Sequence, residues 1–201
     1  MSKTVILIPS RLSATRLPRK PLLKINGVSI ISHVFKKAKE SDIGEVYVAT
    51  EDKEILDDVH LNNGKAILTS NKHKTGSDRI FECFEKLDLK NIDYIINLQG
   101  DEPNIDINDL KHLNKLVHIN KPEIGTLGAE IKDKSSLNNE NIVKVITESK
   151  ITDVNFPIAK DFKRKLKNLE LNTYHHLGIY AYKPDVLKKI IKLKQTNNEI
   201  K

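Results

Sequence analysis

The sequence predicts an α/β domain, a mostly parallel β-sheet flanked by helices. Short runs that are apolar throughout recur along the chain, as strands buried on both faces do. Segments with apolar residues at helical spacing lie between them. Strands and helices alternating in this way form βαβ units with right-handed crossovers, hence a Rossmann-like parallel sheet. At 201 residues the chain is read as one domain spanning 1–201, long enough to bury a core.

Taken in order, Val5 to Ile8 is an apolar strand stopped by Pro9. Ser29 to Lys39 follows as a helix, with Ile30, Ile31, Val34, Phe35 and Ala38 on one stripe. Glu45 to Thr50 is the second strand. Asp52 to Asn62 is a short helix with Ile55, Leu56 and Val59 inward, closed by Asn63-Gly64. Ala66 to Thr69 is the third strand. Ser77 to Leu87 is a helix with Ser77 as its expected N-cap and Ile80, Phe81, Phe84 and Leu87 inward. Tyr94 to Leu98 is a fourth buried strand, broken at Gly100. A helix over Asp109 to Val117 comes next, then strands over Ile124 to Ile131, Ile142 to Ile146 and Leu177 to Tyr182. Pro184 opens a last helix at its first turn. Lys160 to Asn172 is highly charged and shows no clear period.

Composition narrows the function. Hydrophobic residues make up 38% and charged residues 30%, ordinary for a globular chain. No apolar run is long enough to cross a bilayer and the N-terminus lacks a signal-peptide pattern, so a cytoplasmic location without membrane association is expected. Cys83 is the only cysteine, which excludes a disulfide framework and points to a core thiol. The net charge of +7 raises a nucleic-acid partner. The excess is Lys scattered over helix faces and loops, and neither an aromatic sheet pattern nor a recognition helix accompanies it. A nucleic-acid partner is therefore not expected; an anionic small substrate is.

Arginine is scarce: only Arg11, Arg16, Arg19, Arg79 and Arg164 among 34 basic residues. Arg offers a planar fork for phosphate or carboxylate that Lys does not. Three of these arginines share the loop Pro9 to Lys20, directly after the first strand, where parallel sheets bind ligands. The loop has no Gly, so it is neither a Walker loop nor a dinucleotide fingerprint. Backbone N–H groups with Ser13 or Thr15 suit phosphate oxygens, and Arg11, Arg16 and Lys20 suit the charge of a triphosphate and of a departing pyrophosphate. A basic loop at a sheet rim is the plain alternative.

The fourth strand ends in Asn97-Leu-Gln-Gly-Asp-Glu-Pro103, so Gln99 and Asp101 reach the same rim. Gln99 stands where it would read a ribose or a base edge. A carboxylate such as Asp101 suits Mg²⁺, which takes one or two carboxylates plus phosphate oxygens; Glu102 is equally suited to bonding local backbone. In Thr75 to Arg79, Gly76 allows close backbone approach; a helix start with a surface Asp78–Arg79 pair is the alternative. His175 and His176 are adjacent on a strand and face opposite sides, which argues against a paired metal site.

These segments carry a resemblance. Ala14 to Leu22, within Ile8 to Leu22, resembles the signature Ile-Pro-(Ala/Ser)-Arg-x-x-Ser-Thr-Arg-Leu-Pro-x-Lys-Pro-Leu of the 3-deoxy-manno-octulosonate (KDO) cytidylyltransferase family, with Ala14 at the usual Ser. Asn97 to Pro103 matches the family's Asn-(Val/Leu)-Gln-Gly-Asp-Glu-Pro, and Thr75 to Arg79 its Ser-Gly-Thr-(Glu/Asp)-Arg. Tyr174 to Tyr182 resembles (Arg)-His-Leu-Gly-Ile-Tyr-(Gly/Ala)-Tyr, with His175 at the usual Arg. Ala159 to Arg164 loosely resembles Ala-x-x-Phe-Ser-Arg.

The resemblance implies a nucleotide-diphospho-sugar transferase fold and transfer of CMP from CTP to KDO, with Mg²⁺, for lipopolysaccharide biosynthesis. It assigns Arg11, Arg16 and Lys20 to the CTP phosphates and Asp101 to the metal. Gly76, Ser77 and Arg79 would lie against the nucleotide; His176, Tyr180 and the fork of Arg164 would meet the sugar acid. Another acid sugar, 8-amino-KDO or a sialic acid, and a CTP-binding protein without turnover are the alternatives. The family is commonly homodimeric. It also continues beyond the length seen here, through a segment with a second metal carboxylate, so a chain lacking that segment is expected.

Overall fold

The computed structural model describes residues 3–13, 17–168 and 170–193. Chain order runs β1 (Thr4–Ser10), β2 (Lys24–Ile25), β3 (Val28–Ser29), α1 (Ile30–Glu40), β4 (Gly44–Thr50), α2 (Lys53–Leu61), β5 (Ala66–Leu68), α3 (Gly76–Leu87), β6 (Tyr94–Asn97) and α4 (Ile107–Asn120). It continues through β7 (Ile124–Glu130), β8 (Lys144–Thr147), β9 (Ala159–Lys163), β10 (Thr173–Tyr182) and α5 (Pro184–Ile190). The main sheet has the order β5-β4-β1-β6-β10-β8-β9, with β7 on β10. Strands β5, β4, β1 and β6 are parallel, as the βαβ spacing predicts. Strands β10, β7, β8 and β9 join them antiparallel.

The apolar runs read as doubly buried strands are so. Along β1, Ile6 and Ile8 enter one core with Ile31, Val34, Ile55 and Leu113, from α1, α2 and α4. Val5 and Leu7 enter the opposite core with Ile80, Phe81, Cys83 and Leu187, from α3 and α5. The period of two persists; both faces are simply covered. Cys83 is fully buried, and burial pushes its thiol up to about 12, so it is an inert core group.

The structure corrects several expectations. The N-cap of α3 is Thr75, not Ser77. Thr75 Oγ1 accepts from Asp78 N at 3.1 Å while Asp78 Oδ2 accepts from Thr75 N at 3.1 Å, a reciprocal capping box that Ser77 cannot form. Helix α4 starts earlier than Asp109, because Asp106 accepts from Asn108 N at 2.8 Å and caps it. The charged stretch read as aperiodic contains β9, whose Phe162 pairs in register with Val145. It forms an edge strand, and Lys160, Asp161 and Lys163 there discourage pairing with another chain. The small β2–β3 hairpin turns at Asn26-Gly27, both with positive φ, a signal present in the sequence and unused above. No described helix is long and apolar enough to cross a membrane.

Candidate active site

Segments that follow β1, β5 and β6 converge on Pro9. A Cβ at Gly76 would stand 3.2 Å from the Pro9 ring, and one at Gly100 would stand 2.8 Å from the Pro9 carbonyl oxygen. At Gly100 the obstacle is rigid backbone, so only Gly fits. The Gly76 role read from sequence, close backbone approach, is met by Pro9. The wall formed by β10 is tied in as well: Gln99 Nε2 donates to Gly178 O at 3.1 Å. The Gln99 amide therefore positions β10, a job the sequence did not foretell.

The loop after β1 is held at several points. Leu12 N donates to Asp52 Oδ2 at 2.7 Å, so the carboxylate at the start of α2 serves the loop and makes no cap bond to its own helix. Arg19 N donates to Leu12 O at 3.2 Å, and Arg19 adopts a left-handed conformation with φ 59°. Its side chain pairs with Glu54 of α2; both are exposed, and the pair contributes little. Arg11 and Ser13 are exposed on the loop. Thr15 and Arg16 lie outside the described residues.

Lys20 Nζ lies 2.7 Å from Asp101 Oδ2, joining the loop after β1 to the turn after β6. Two residues 81 positions apart in sequence thus meet because β1 and β6 are parallel neighbours. Glu102, next along, is half-buried. Burial and then the Asp101 carboxylate push its pKa up, against a pull downward from Lys20. A raised carboxylate favours the protonated form in the fold. Its contribution is present below the ordinary Glu value and lost as pH rises through the raised one. Glu102→Gln should therefore melt like the parent in acid below the ordinary Glu value and at a higher temperature near neutrality. Melting curves across that pH range check this; a gap that stays constant contradicts it.

Arg79 requires a correction. Its side chain is 3% exposed. It donates to Thr69 Oγ1 at 2.8 Å and to Ser70 O at 3.4 Å, and pairs with Glu51. With the fork committed to the loops after β4 and β5, a direct nucleotide contact is replaced by a structural tie. The surface Asp78–Arg79 pair is equally absent, since Asp78 turns back to Thr75. Sequence reasoning passed over Glu51 and Asp52; the signal was their place at the carboxyl end of a predicted strand.

On β10, His176 is 9% exposed, with Nε2 at 3.0 Å from Thr126 Oγ1. The Thr126 hydroxyl lies 2.7 Å from Ile179 O and donates there, which leaves His176 Nε2–H to donate to Thr126. Burial, and then His175, hold the ring pKa below its ordinary value, so the imidazole is neutral. Phe162 and Tyr180 each meet the ring edge-on, at centroid separations of 5.0 and 5.3 Å. His176 and Tyr180 are thus brought together. Arg164 is not brought to them: β9 ends at Lys163, and the Arg164 fork is exposed, donating to Glu140 O at 3.1 Å. A cavity of about 850 Å³ opens beside Thr126, Phe162 and Tyr180, lined further by Leu113 and Phe156. Lys20 and Asp101 do not border it, so this hollow and the charged rim are separate features.

A loop with exposed cations facing a carboxylate across two parallel strands, at the carboxyl ends of those strands, is the site of a nucleotidyltransferase. Residues 5–200 match the cytidylyltransferase family model. The chain is 39% identical to 3-deoxy-manno-octulosonate cytidylyltransferase of Nitrobacter winogradskyi over 96% of this chain and 76% of that one. It is also 39% identical to the enzyme of that name from Thermodesulfovibrio yellowstonii, over 98% and 81%. Among solved structures, CMP:2-keto-3-deoxy-manno-octonic acid synthetase complexed with CTP superposes with TM-score 0.86 at 36% identity, covering 99% of this chain and 81% of that one. A 4-diphosphocytidyl-2C-methyl-D-erythritol synthase shares the fold, at TM-score 0.62 and 14% identity over 100% of this chain and 83% of that one. The chain belongs to the 3-deoxy-manno-octulosonate cytidylyltransferase family.

Proposed function

We propose that the chain transfers CMP from CTP to KDO, giving CMP-KDO and pyrophosphate for lipopolysaccharide assembly in the cytoplasm. Membership of the family supports the reaction, and the 2.7 Å contact of Lys20 with Asp101 carries the assignment of the site. The anomeric hydroxyl of the sugar acid forms a bond to the α-phosphorus as the bond to the β-phosphate oxygen breaks. Negative charge grows on the leaving pyrophosphate. Arg11, Arg16 and Lys20 are the cations assigned to offset it, with Ser13, Thr15 and the backbone N–H groups of the loop orienting the phosphates. Ser77, at the start of α3, and Gln99 are assigned to the nucleotide side. On the acceptor side His176, neutral, holds Tyr180 by ring contact, and Arg164 would need to leave Glu140 O to meet the sugar carboxylate.

Asp101 fits Mg²⁺ by its chemistry: a half-exposed carboxylate at a strand end suits a hard ion that completes its shell from phosphate oxygens. No group of three or more His, Cys, Asp or Glu that could form a full metal cage occurs among the described residues. Bound there, the ion would offset charge on the transferring phosphate. In the free protein Lys20 occupies Asp101, and substrate phosphates would draw Lys20 away. A homodimer is part of this reading, and sedimentation velocity measures it directly.

The test is pyrophosphate release from CTP with KDO, 8-amino-KDO or a sialic acid offered in turn. Turnover is expected with KDO above the other acids. A folded chain that releases no pyrophosphate above background with any of them overturns the proposal.

A further inference from the structure

Asn97 ends β6, three residues after Tyr94 and directly before the turn that carries Asp101. It is 5% exposed, and its Oδ1 has no hydrogen-bond partner in the protein. A buried amide oxygen left unpaired is unusual, since such an atom loses its hydration and regains nothing. The burial of β6 shows which way it points. Ile96 and Leu98 belong to the core under α1 and α4, and Ile95 to the core under α3. Alternation then sends the Asn97 side chain to the α3 side.

The register names its neighbours on that face. On one side lies Leu7 of β1, fully buried and apolar. On the other lies Tyr180 of β10, and beyond Tyr180 lies Thr126 of β7. Directly paired residues share a face, so Asn97, Tyr180 and Thr126 form a row across three strands. Tyr180 and Thr126 both touch His176. On β10 the pairing with β7 is irregular between Leu177 and Tyr180, so His176 and Tyr180 fall on either side of an irregularity in the strand. Thr126 donates to backbone and Tyr180 stacks on Tyr182, and neither bonds the Asn97 amide oxygen.

We propose that Asn97 is a specificity-determining residue for the acceptor sugar acid: its amide oxygen, unpaired in the free protein, accepts from a hydroxyl of the acceptor beside Tyr180. The inference rests on the reading that the β10 wall faces the sugar. An amide oxygen is suited to this task because a sugar hydroxyl can donate to it. The apolar Leu7 on the β1 side leaves the nucleotide side of Asn97 without a polar opening. The arrangement also explains why an uncompensated amide is kept in the core: the bond is made only when substrate is present, which is where selection for binding acts.

Asn97→Leu and Asn97→Ala test this by steady-state kinetics with each substrate varied, alongside thermal melting. Both variants should raise KM for KDO by about tenfold, the loss of one good hydrogen bond, with KM for CTP within about twofold of the parent. Asn97→Leu, of similar size and without an unpaired amide, should melt no lower than the parent. A structural role moves these readouts the other way: a lower melting temperature in both variants with KM for KDO unchanged overturns the inference. A rise confined to KM for CTP overturns it equally, by placing Asn97 on the nucleotide. If the parent itself does not turn over KDO, the proposed reaction has failed instead, and the two failures are told apart by that control. Should Asn97→Leu not fold, Asn97→Ala and equilibrium binding of KDO to the parent and to this variant decide the matter.

Discussion

Lys20→Ala and Asp101→Asn are each expected to lower kcat by roughly a hundredfold or more while leaving the fold intact. The kinetic expectation follows from the stage at which these groups act. Charge develops on the leaving pyrophosphate and on the transferring phosphate only as the bond breaks, so a fixed cation there stabilises the transition state more than the ground state. Losing one such group typically costs about 10²–10³ in rate. The stability expectation follows from exposure: the Lys20 and Asp101 side chains are 33% and 52% exposed. A partly solvated pair contributes about 0–1 kcal/mol, so melting temperatures should hardly move. The two residues meet each other in the free protein, so the double variant should be less stable than the parent by no more than the larger single effect. Pre-steady-state pyrophosphate release, which separates chemistry from product release, measures the loss. Parent-like kcat in Lys20→Ala would remove Lys20 from the mechanism.

Arg79→Ala should behave in the opposite way, with a large loss of stability and a secondary loss of substrate binding. Arg79 and Glu51 are 3% and 15% exposed, so removing the guanidinium strands a buried carboxylate. Breaking a buried pair from one side costs about 3–5 kcal/mol. Arg79 also joins the loop after β5, through Thr69 and Ser70, to the loop after β4. Asp52 follows Glu51 in that loop and accepts the Leu12 N–H of the cation-bearing loop. A disturbance at Glu51 therefore reaches the backbone of the loop after β1 through Asp52 and Leu12. KM for CTP should rise in the folded fraction while KM for KDO stays near the parent value. Arg79→Met combined with Glu51→Gln should recover most of the stability, because no buried charge is then left alone. Chemical denaturation of the single and double variants, with kinetics at a temperature where all are folded, provides the measurement. If Arg79→Ala is as stable as the parent, the buried tie is not what holds these loops.

The sequence was most informative where chemistry sits in one contiguous loop. Arg11, Ser13 and Lys20 follow one strand and Gln99 and Asp101 follow another, and strand-end position alone put both loops on one rim. It was less informative where a side chain has two possible fates. The resemblance placed Arg79 against the nucleotide. Glu51, far from it in sequence, claims its fork instead. Ser77 was the expected cap of α3, whereas Asp78 bonds back to Thr75 and Thr75 caps the helix. Arg164 was tied to the sugar by a loose motif, whereas β9 ends before it and Glu140 O receives its fork.

By itself, then, the sequence determined the alternating α/β architecture, the doubly buried strands and the identity of the charged rim. Each of these depends on local patterns: period, strand ends and the rarity of Arg. The tertiary structure alone decided that β10 inserts antiparallel beside β6, that Lys20 lies against Asp101, and that Asn97 is buried next to Tyr180 without a partner. Those are contacts between segments distant in sequence, set by which strands become neighbours when both faces of the sheet are covered. No local pattern records which neighbours those are.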